Sequence, residues 1–132
     1  DQKFIVLNGD SYCDFDVDLQ VLSNNRINYI FIYSVSNVSR YGEVKINEVD
    51  NSVSSFIEKK PTSRGGFINS GIYIFDRYVF KSFKKGKFIS LESEILPHLI
   101  GNLKFILCDK GFIDIGTPNS LFKAEKFLLE HR

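Results

Sequence analysis

An α/β domain is the fold class this sequence predicts, and three observations predict it. Short apolar runs of strand character alternate with amphipathic helical patterns along the chain. Turn-forming residues separate them. Around residues 42–58 a pair of short strand patterns interrupts the alternation as an inserted hairpin. With 132 residues, 43% of them hydrophobic and 25% charged, one domain with a sizeable core is expected rather than a disordered or disulfide-scaffold chain.

Residues 3–7 form an apolar run that stops abruptly at Asn8-Gly9-Asp10, as a buried strand running into a loop does. Asp16 or Asp18 can cap a short helix carrying Val17, Leu19, Val21 and Leu22. Residues 27–35 are rich in β-branched and aromatic side chains and read as a central strand. The patterns at 42–47 and 53–58 flank Asp50-Asn51 and form the hairpin. Another strand covers 68–75, after which Asp76 can start a helix through Tyr78, Val79, Phe80 and Phe83. Ser90 precedes an amphipathic pattern of Leu91, Ile95, Leu96, Leu99 and Ile100, which Pro97 bends or ends. Two short strands at 103–108 and 112–115 follow. Thr117 as N-cap with Pro118 behind it opens a last helix, with Leu121, Phe122, Ala124, Phe127 and Leu128 on one face.

Seventeen Lys+Arg against sixteen Asp+Glu leave a net charge of +1, which provides no electrostatic footprint for nucleic acid. The lysines at 81, 84, 85 and 87 read as a solvated loop. No apolar run reaches the ~18–20 residues that span a bilayer, so no membrane partner is expected. Cys13 and Cys108 form no C-x-x-C pair and fit a reducing, cytoplasmic compartment, although spacing leaves a single disulfide open. The chain contains no Met and begins at Asp1, so it reads as a piece of a longer product.

Ligands of open α/β sheets gather beyond the carboxyl ends of the strands. Asp10 follows one such strand, and Asp114 lies near the end of Gly111–Gly116 just before a helix. If those strands are neighbours, the two carboxylates can share one hard cation of the Mg²⁺ type; otherwise they are turn and capping residues. Glu58-Lys59-Lys60-Pro61 ends a strand, placing a carboxylate able to accept from sugar hydroxyls beside ammonium groups able to neutralise a phosphate, or else forming an exposed charged turn. Asn69 and Gly71 interrupt the strand at 68–75, which points to close approach of another group or to a β-bulge. His98 and His131 have no second ligand at metal spacing and read as structural or solvated. Asp14-Phe15-Asp16 and Asp16-Val17-Asp18 match a D-x-D pattern formally but sit at an expected helix start.

Six segments in this order resemble the sugar-1-phosphate nucleotidylyltransferases: Phe4–Asp10, Arg40-Tyr-Gly-Glu-Val44, Phe56-Ile-Glu-Lys59 before Pro61, Ile68–Tyr73, Ser90–Pro97 and Phe112–Pro118. Within that family the sequence is most similar to the bacterial heptose-1-phosphate guanylyltransferases of lipopolysaccharide or capsule biosynthesis, with mannose-1-phosphate guanylyltransferases next. The resemblance implies the Rossmann-like mixed sheet of the nucleotide-diphospho-sugar transferase (glycosyltransferase-A-like) fold. It also implies a Mg²⁺-dependent reaction of a nucleoside triphosphate, GTP by this likeness, with a sugar 1-phosphate. Carried over by position, Asp10 and Asp114 match the metal-binding aspartates. Gly42 and Glu58 match sugar contacts, Lys59 matches the lysine on the sugar phosphate, and Asn69 and Tyr73 fall in the strand lining the sugar pocket.

The family's Gly-rich loop with its Arg and following Lys does not occur in this chain. Residues 1–132 are therefore expected to be the C-terminal, sugar- and metal-binding part of one nucleotidyltransferase domain. Such a part would have a sheet lacking its N-terminal strands and no triphosphate-binding loop, and it would be inactive alone. Such a sheet would expose residues 3–7 and 27–35 and drive association with copies of itself or with an N-terminal segment. The alternative of another functional class is a non-catalytic regulatory or assembly module of the same fold.

Overall fold

In a computed structural model of the chain, the structure describes residues 3–16, 23, 26–61 and 63–130. Eight strands run in the order β1 (Lys3–Leu7), β2 (Ser11–Asp14), β3 (Asn28–Val35), β4 (Glu43–Asn47), β5 (Ser52–Ile57), β6 (Gly66–Asp76), β7 (Leu103–Cys108) and β8 (Gly111–Asp114). A 3-10 turn covers Val79–Ser82, a π-helical turn Leu91–Ile95 runs into the short helix α1 (Leu96–His98), and α2 spans Pro118–Glu130. The helix expected at Val17–Leu22 lies outside the described residues.

Six strands form one sheet in the order β1-β6-β3-β7-β5-β4, and β2 pairs with β8 in a separate two-stranded sheet. Most pairings are antiparallel; β3 with β7 is the parallel one. The sheet begins with β1, whose five residues pair with Ile72–Asp76 of β6. This corrects the expectation of a sheet lacking its N-terminal strands. It also corrects the expectation that residues 27–35 lie at an exposed edge: β3 is hydrogen-bonded to β6 on one side and β7 on the other. The β1 segment does sit at the margin, with Ile5 and Leu7 exposed.

The period of two along β3 and β6 explains why Tyr29–Tyr33 and Ile72–Phe75 are apolar without interruption. Ile30 and Ile32 with Tyr73 and Phe75 enter one core, packed with Leu96, Leu99 and Leu103. Their neighbours Phe31, Ile72 and Ile74 enter a second core with Cys13 and Cys108. Each fully buried side chain of this size stabilises the fold by about 1.5–3 kcal/mol. Both cysteines are free thiols and buried.

Local chemistry places the connections. Asn51 sits at φ 56° in the β4–β5 turn, a conformation that Asn tolerates better than most residues. Ser90 Oγ accepts from the Ser93 N–H while Glu94 Oε1 accepts from the Ser90 N–H, a reciprocal cap that starts the Leu91 turn. Beyond Asp76, whose carboxylate accepts from the Tyr78 and Arg26 N–H groups, one 3-10 turn forms where a longer helix was expected, and the backbone turns extended at Phe83. Helix α2 starts at Pro118 as expected, and the Thr117 hydroxyl accepts from the Ser120 N–H. Its apolar face is only partly used: Ala124 is buried, Phe127 meets Tyr12 edge-to-face, and Leu121 and Phe122 remain exposed.

Candidate active site

Asp10 and Asp114 come from segments about a hundred positions apart, and the β2–β8 pair brings them together. Ser11 is registered with Asp114 across that ladder, and the Ile115 N–H donates to the Asp10 carbonyl at 2.8 Å. Gly116 then lies against both carboxylates. A Cβ there would meet Asp114 Oδ1 at 2.9 Å and Asp10 Oδ2 at 3.6 Å. The Gly116 N–H donates to Asp114 Oδ1 at 2.7 Å, which orients that carboxylate.

A cavity of about 300 Å³ opens at this point. Its walls include Asp10, Gly42, Glu58, Lys59, Asn69 and Asp114, so six of the seven residues singled out in the sequence share one space. The β4–β5 hairpin brings Gly42 to its start and Glu58 and Lys59 just past its end, because Glu43 pairs with Ile57. Asn69 comes from β6. Tyr73 does not reach the cavity: its side chain is fully buried in the core beneath, and its hydroxyl accepts from Asn69 Nδ2 at 2.6 Å. Burial pushes the Tyr73 hydroxyl up to about 12, with the Asn69 bond pulling the other way, so it stays neutral and holds the Asn69 amide in place.

Gly71 has φ +80°, and a Cβ there would meet the Asn8 side chain at 2.8 Å. The β3–β6 register also shifts at this point, so close approach and a β-bulge coexist. The Asn8 N–H donates to the Gly71 carbonyl at 2.8 Å, tying the loop before Asp10 to β6.

Sequence reasoning missed Asn8, Tyr41, Glu43, Glu92 and Phe112 as cavity residues. Asn8 and Tyr41 adjoin the Asp10 and Gly42 motifs, and that adjacency was the available signal. Glu43 gave none, since a charged residue in a hairpin pattern reads as solvated, yet here it is buried. The D-x-D reading is not supported by placement among the described residues: Asp16 pairs with Lys110, and Asp18 is outside them. His98 packs edge-to-face on Phe83, and His131 is outside the described residues.

Among the described residues no group of three or more His, Cys, Asp and Glu side chains could hold a metal ion. The pair Asp10 and Asp114 nevertheless fits Mg²⁺. That ion takes one or two carboxylates and keeps its other positions for water and phosphate oxygens, rather than a cage built from protein alone. No helix among the described residues is long and apolar enough to cross a membrane.

The nucleotidyl transferase family model matches residues 1–131. The chain belongs to that family. The match corrects the expectation that only a C-terminal portion of the domain is present, and with it that of a fragment stripped of an N-terminal triphosphate-binding loop. The family's domain is matched along nearly the entire chain, and the sheet that begins at β1 carries it. Among nucleotidyl transferases of known sequence, the chain is 34% identical over 119 residues to the D-glycero-alpha-D-manno-heptose 1-phosphate guanylyltransferase of Campylobacter jejuni, covering 89% of this chain and 52% of that protein. It is 31% identical to a probable mannose-1-phosphate guanylyltransferase of Arabidopsis thaliana, covering 97% of this chain and 40% of that one. The crystal structure of HddC from Yersinia pseudotuberculosis superposes with a TM-score of 0.78 at 38% identity, over 95% of this chain and 55% of that one. The chain thus spans about half the length, or less, of the relatives it matches.

Proposed function

We propose that this nucleotidyl transferase takes part in joining a nucleoside triphosphate to a sugar 1-phosphate, giving a nucleotide sugar and pyrophosphate. One observation carries the reading: Asp10, Asp114 and Lys59 line a single cavity with the sugar-type contacts Gly42, Glu58 and Asn69. GTP is the nucleotide proposed, because the relatives at 34% and 31% identity are named guanylyltransferases and HddC has also been solved in complex with GMP-PN. The sugar is of the heptose or mannose type on the same names.

The chemistry needs no protein base. A sugar phosphate is ionised at neutral pH, so its oxygen attacks the α-phosphorus in line as pyrophosphate leaves. The barrier is charge. Two unit charges 4 Å apart repel by about 4 kcal/mol at an effective dielectric of 20. Lys59 would neutralise the sugar phosphate, and Glu58 and the Gly42 backbone would fix the hydroxyls of the ring. Asp10 and Asp114 would hold Mg²⁺, which when bound supplies charge neutralisation at the phosphates. Asn69, clamped by Tyr73, would present its amide to the sugar.

Pyrophosphate release tests the reading. The 132-residue chain is incubated with Mg²⁺, each of the common nucleoside triphosphates, and mannose or heptose 1-phosphate. Release with GTP that disappears in Asp114→Asn is the expected result; no release with any pair overturns the proposal.

A further inference from the structure

Glu43 is a carboxylate with almost no access to water, 5% exposed at the start of β4. Two cations offset that burial: Lys45 Nζ donates to Oε1 at 2.7 Å, and the half-exposed Arg64 donates to Oε2. Gly66 leaves the room for this arrangement, since a Cβ there would lie 2.9 Å from Glu43 Oε1. The same residue is paired on both sides of its strand, with Ile57 of β5 and with Ile68 of β6.

These contacts put Glu43 at both ends of one loop. Glu58 and Lys59 leave β5 just after Ile57, which is registered with Glu43, and the chain returns to β6 past Arg64, which the Glu43 side chain holds. The Arg64 carbonyl also accepts from the Val38 N–H at 3.0 Å. Lys59, Lys60 and Arg64 give this stretch three cations against the one carboxylate of Glu58, a surplus that the Glu43 anion draws inward. Glu43 borders the cavity that holds Asp10 and Asp114, whereas Arg64 lines a neighbouring one. A loop closed in this way presents its lysine already ordered, which lowers the cost of binding an anion there.

We propose that Glu43 is a positioning residue for the sugar phosphate: by closing the loop through Arg64 it holds Lys59 and Glu58 at the cavity wall before the substrate arrives. The inference rests on the sugar-phosphate reading above and adds to it Glu43 and Arg64, which act through the loop.

Two measurements on the 132-residue chain test it. Limited trypsin digestion, with cleavage of the Lys59–Lys60 bond followed by mass spectrometry, reads the loop without any substrate. Cleavage should be at least about fivefold faster in Glu43→Gln and in Arg64→Gln, and close to the parent rate in Arg64→Lys, which keeps the cation. Calorimetric titration with mannose 1-phosphate in Mg²⁺ reads the consequence. Glu43→Gln and Arg64→Gln should each weaken binding about tenfold, and either effect should shrink to within about twofold when the change is made in Lys59→Ala. Circular dichroism checks that the variants fold; if Glu43→Gln does not, the half-exposed Arg64 carries the same comparison alone. Unchanged cleavage in the folded Gln variants overturns the proposal. So does a binding loss in Glu43→Gln that Arg64→Gln does not share, or one that persists undiminished in Lys59→Ala, because the carboxylate would then act on the substrate directly or on the fold as a whole. A parent chain that binds no mannose 1-phosphate is a different result: it removes the sugar-phosphate reading itself, and the positioning role with it, even where the cleavage rates show the loop closure.

Discussion

Asp10 and Asp114 point at the same glycine from two strands that meet only in the folded chain: the Cβ position of Gly116 is 3.6 Å from Asp10 Oδ2 and 2.9 Å from Asp114 Oδ1. The Gly116 amide already holds the Asp114 carboxylate, so the pair is oriented before any cation arrives. Preorganisation of this kind lowers the cost of binding a hard cation between two anions.

Replacing one carboxylate should therefore uncouple metal binding from folding. Asp114→Asn is expected to weaken Mn²⁺ binding, read by electron paramagnetic resonance as a Mg²⁺ surrogate, by at least about tenfold. The urea midpoint should stay close to that of the parent, because Asp114 is at the surface end of β8. Gly116→Ala should weaken the metal in the same direction by displacing the carboxylate. Unchanged Mn²⁺ affinity in both variants would take this pair out of the metal site.

Gly71 offers a test of the scaffold rather than the chemistry. Its φ of +80° and the 2.8 Å approach of Asn8 make any side chain there both strained and crowded. Gly71→Ala is expected to lower unfolding free energy by roughly 2 kcal/mol in urea. A loss near zero would mean that the loop before Asp10 gives way freely.

Tyr73 should show in the alkaline limb of stability. An unfolded tyrosine titrates near 10, whereas burial holds the folded one at about 12. Above pH ~10 the unfolded state gives up this proton first, so the contribution is full below that pH and is lost as pH rises toward about 12. Tyr73→Phe should flatten the fall in urea stability across that window relative to the parent. Parallel curves for the two proteins would contradict a buried, neutral hydroxyl.

The start of α2 depends on Thr117, whose hydroxyl accepts the Ser120 N–H. Thr117→Ala is expected to cost about 1 kcal/mol. Since only Ala124 of this helix is buried, part of the loss should appear as fraying, read as reduced helical circular dichroism before global unfolding. Full retention of both signals would show that Pro118 alone suffices to start the helix.

What the sequence determined by itself is local. The β-branched run of β3, the Asp50-Asn51 turn and the Thr117-Pro118 start are each specified by a few consecutive residues whose backbone preferences agree, and the structure places all three where they were expected. Motif order also led to the family. Tertiary structure alone decided the rest. An uninterrupted apolar run says that both faces of a strand are buried but not which strand lies beside it: residues 27–35 read as a central strand, and only the fold set β6 and β7 as its neighbours. The same gap hid the burial of Glu43, whose two cations come from Lys45 on its own strand and from Arg64, 21 residues on. It also hid the fate of Tyr73, which shares β6 with Asn69 yet turns into the core. Side-chain direction across a bulge and long-range register depend on packing between distant segments, and that is the information no single stretch of this chain contains.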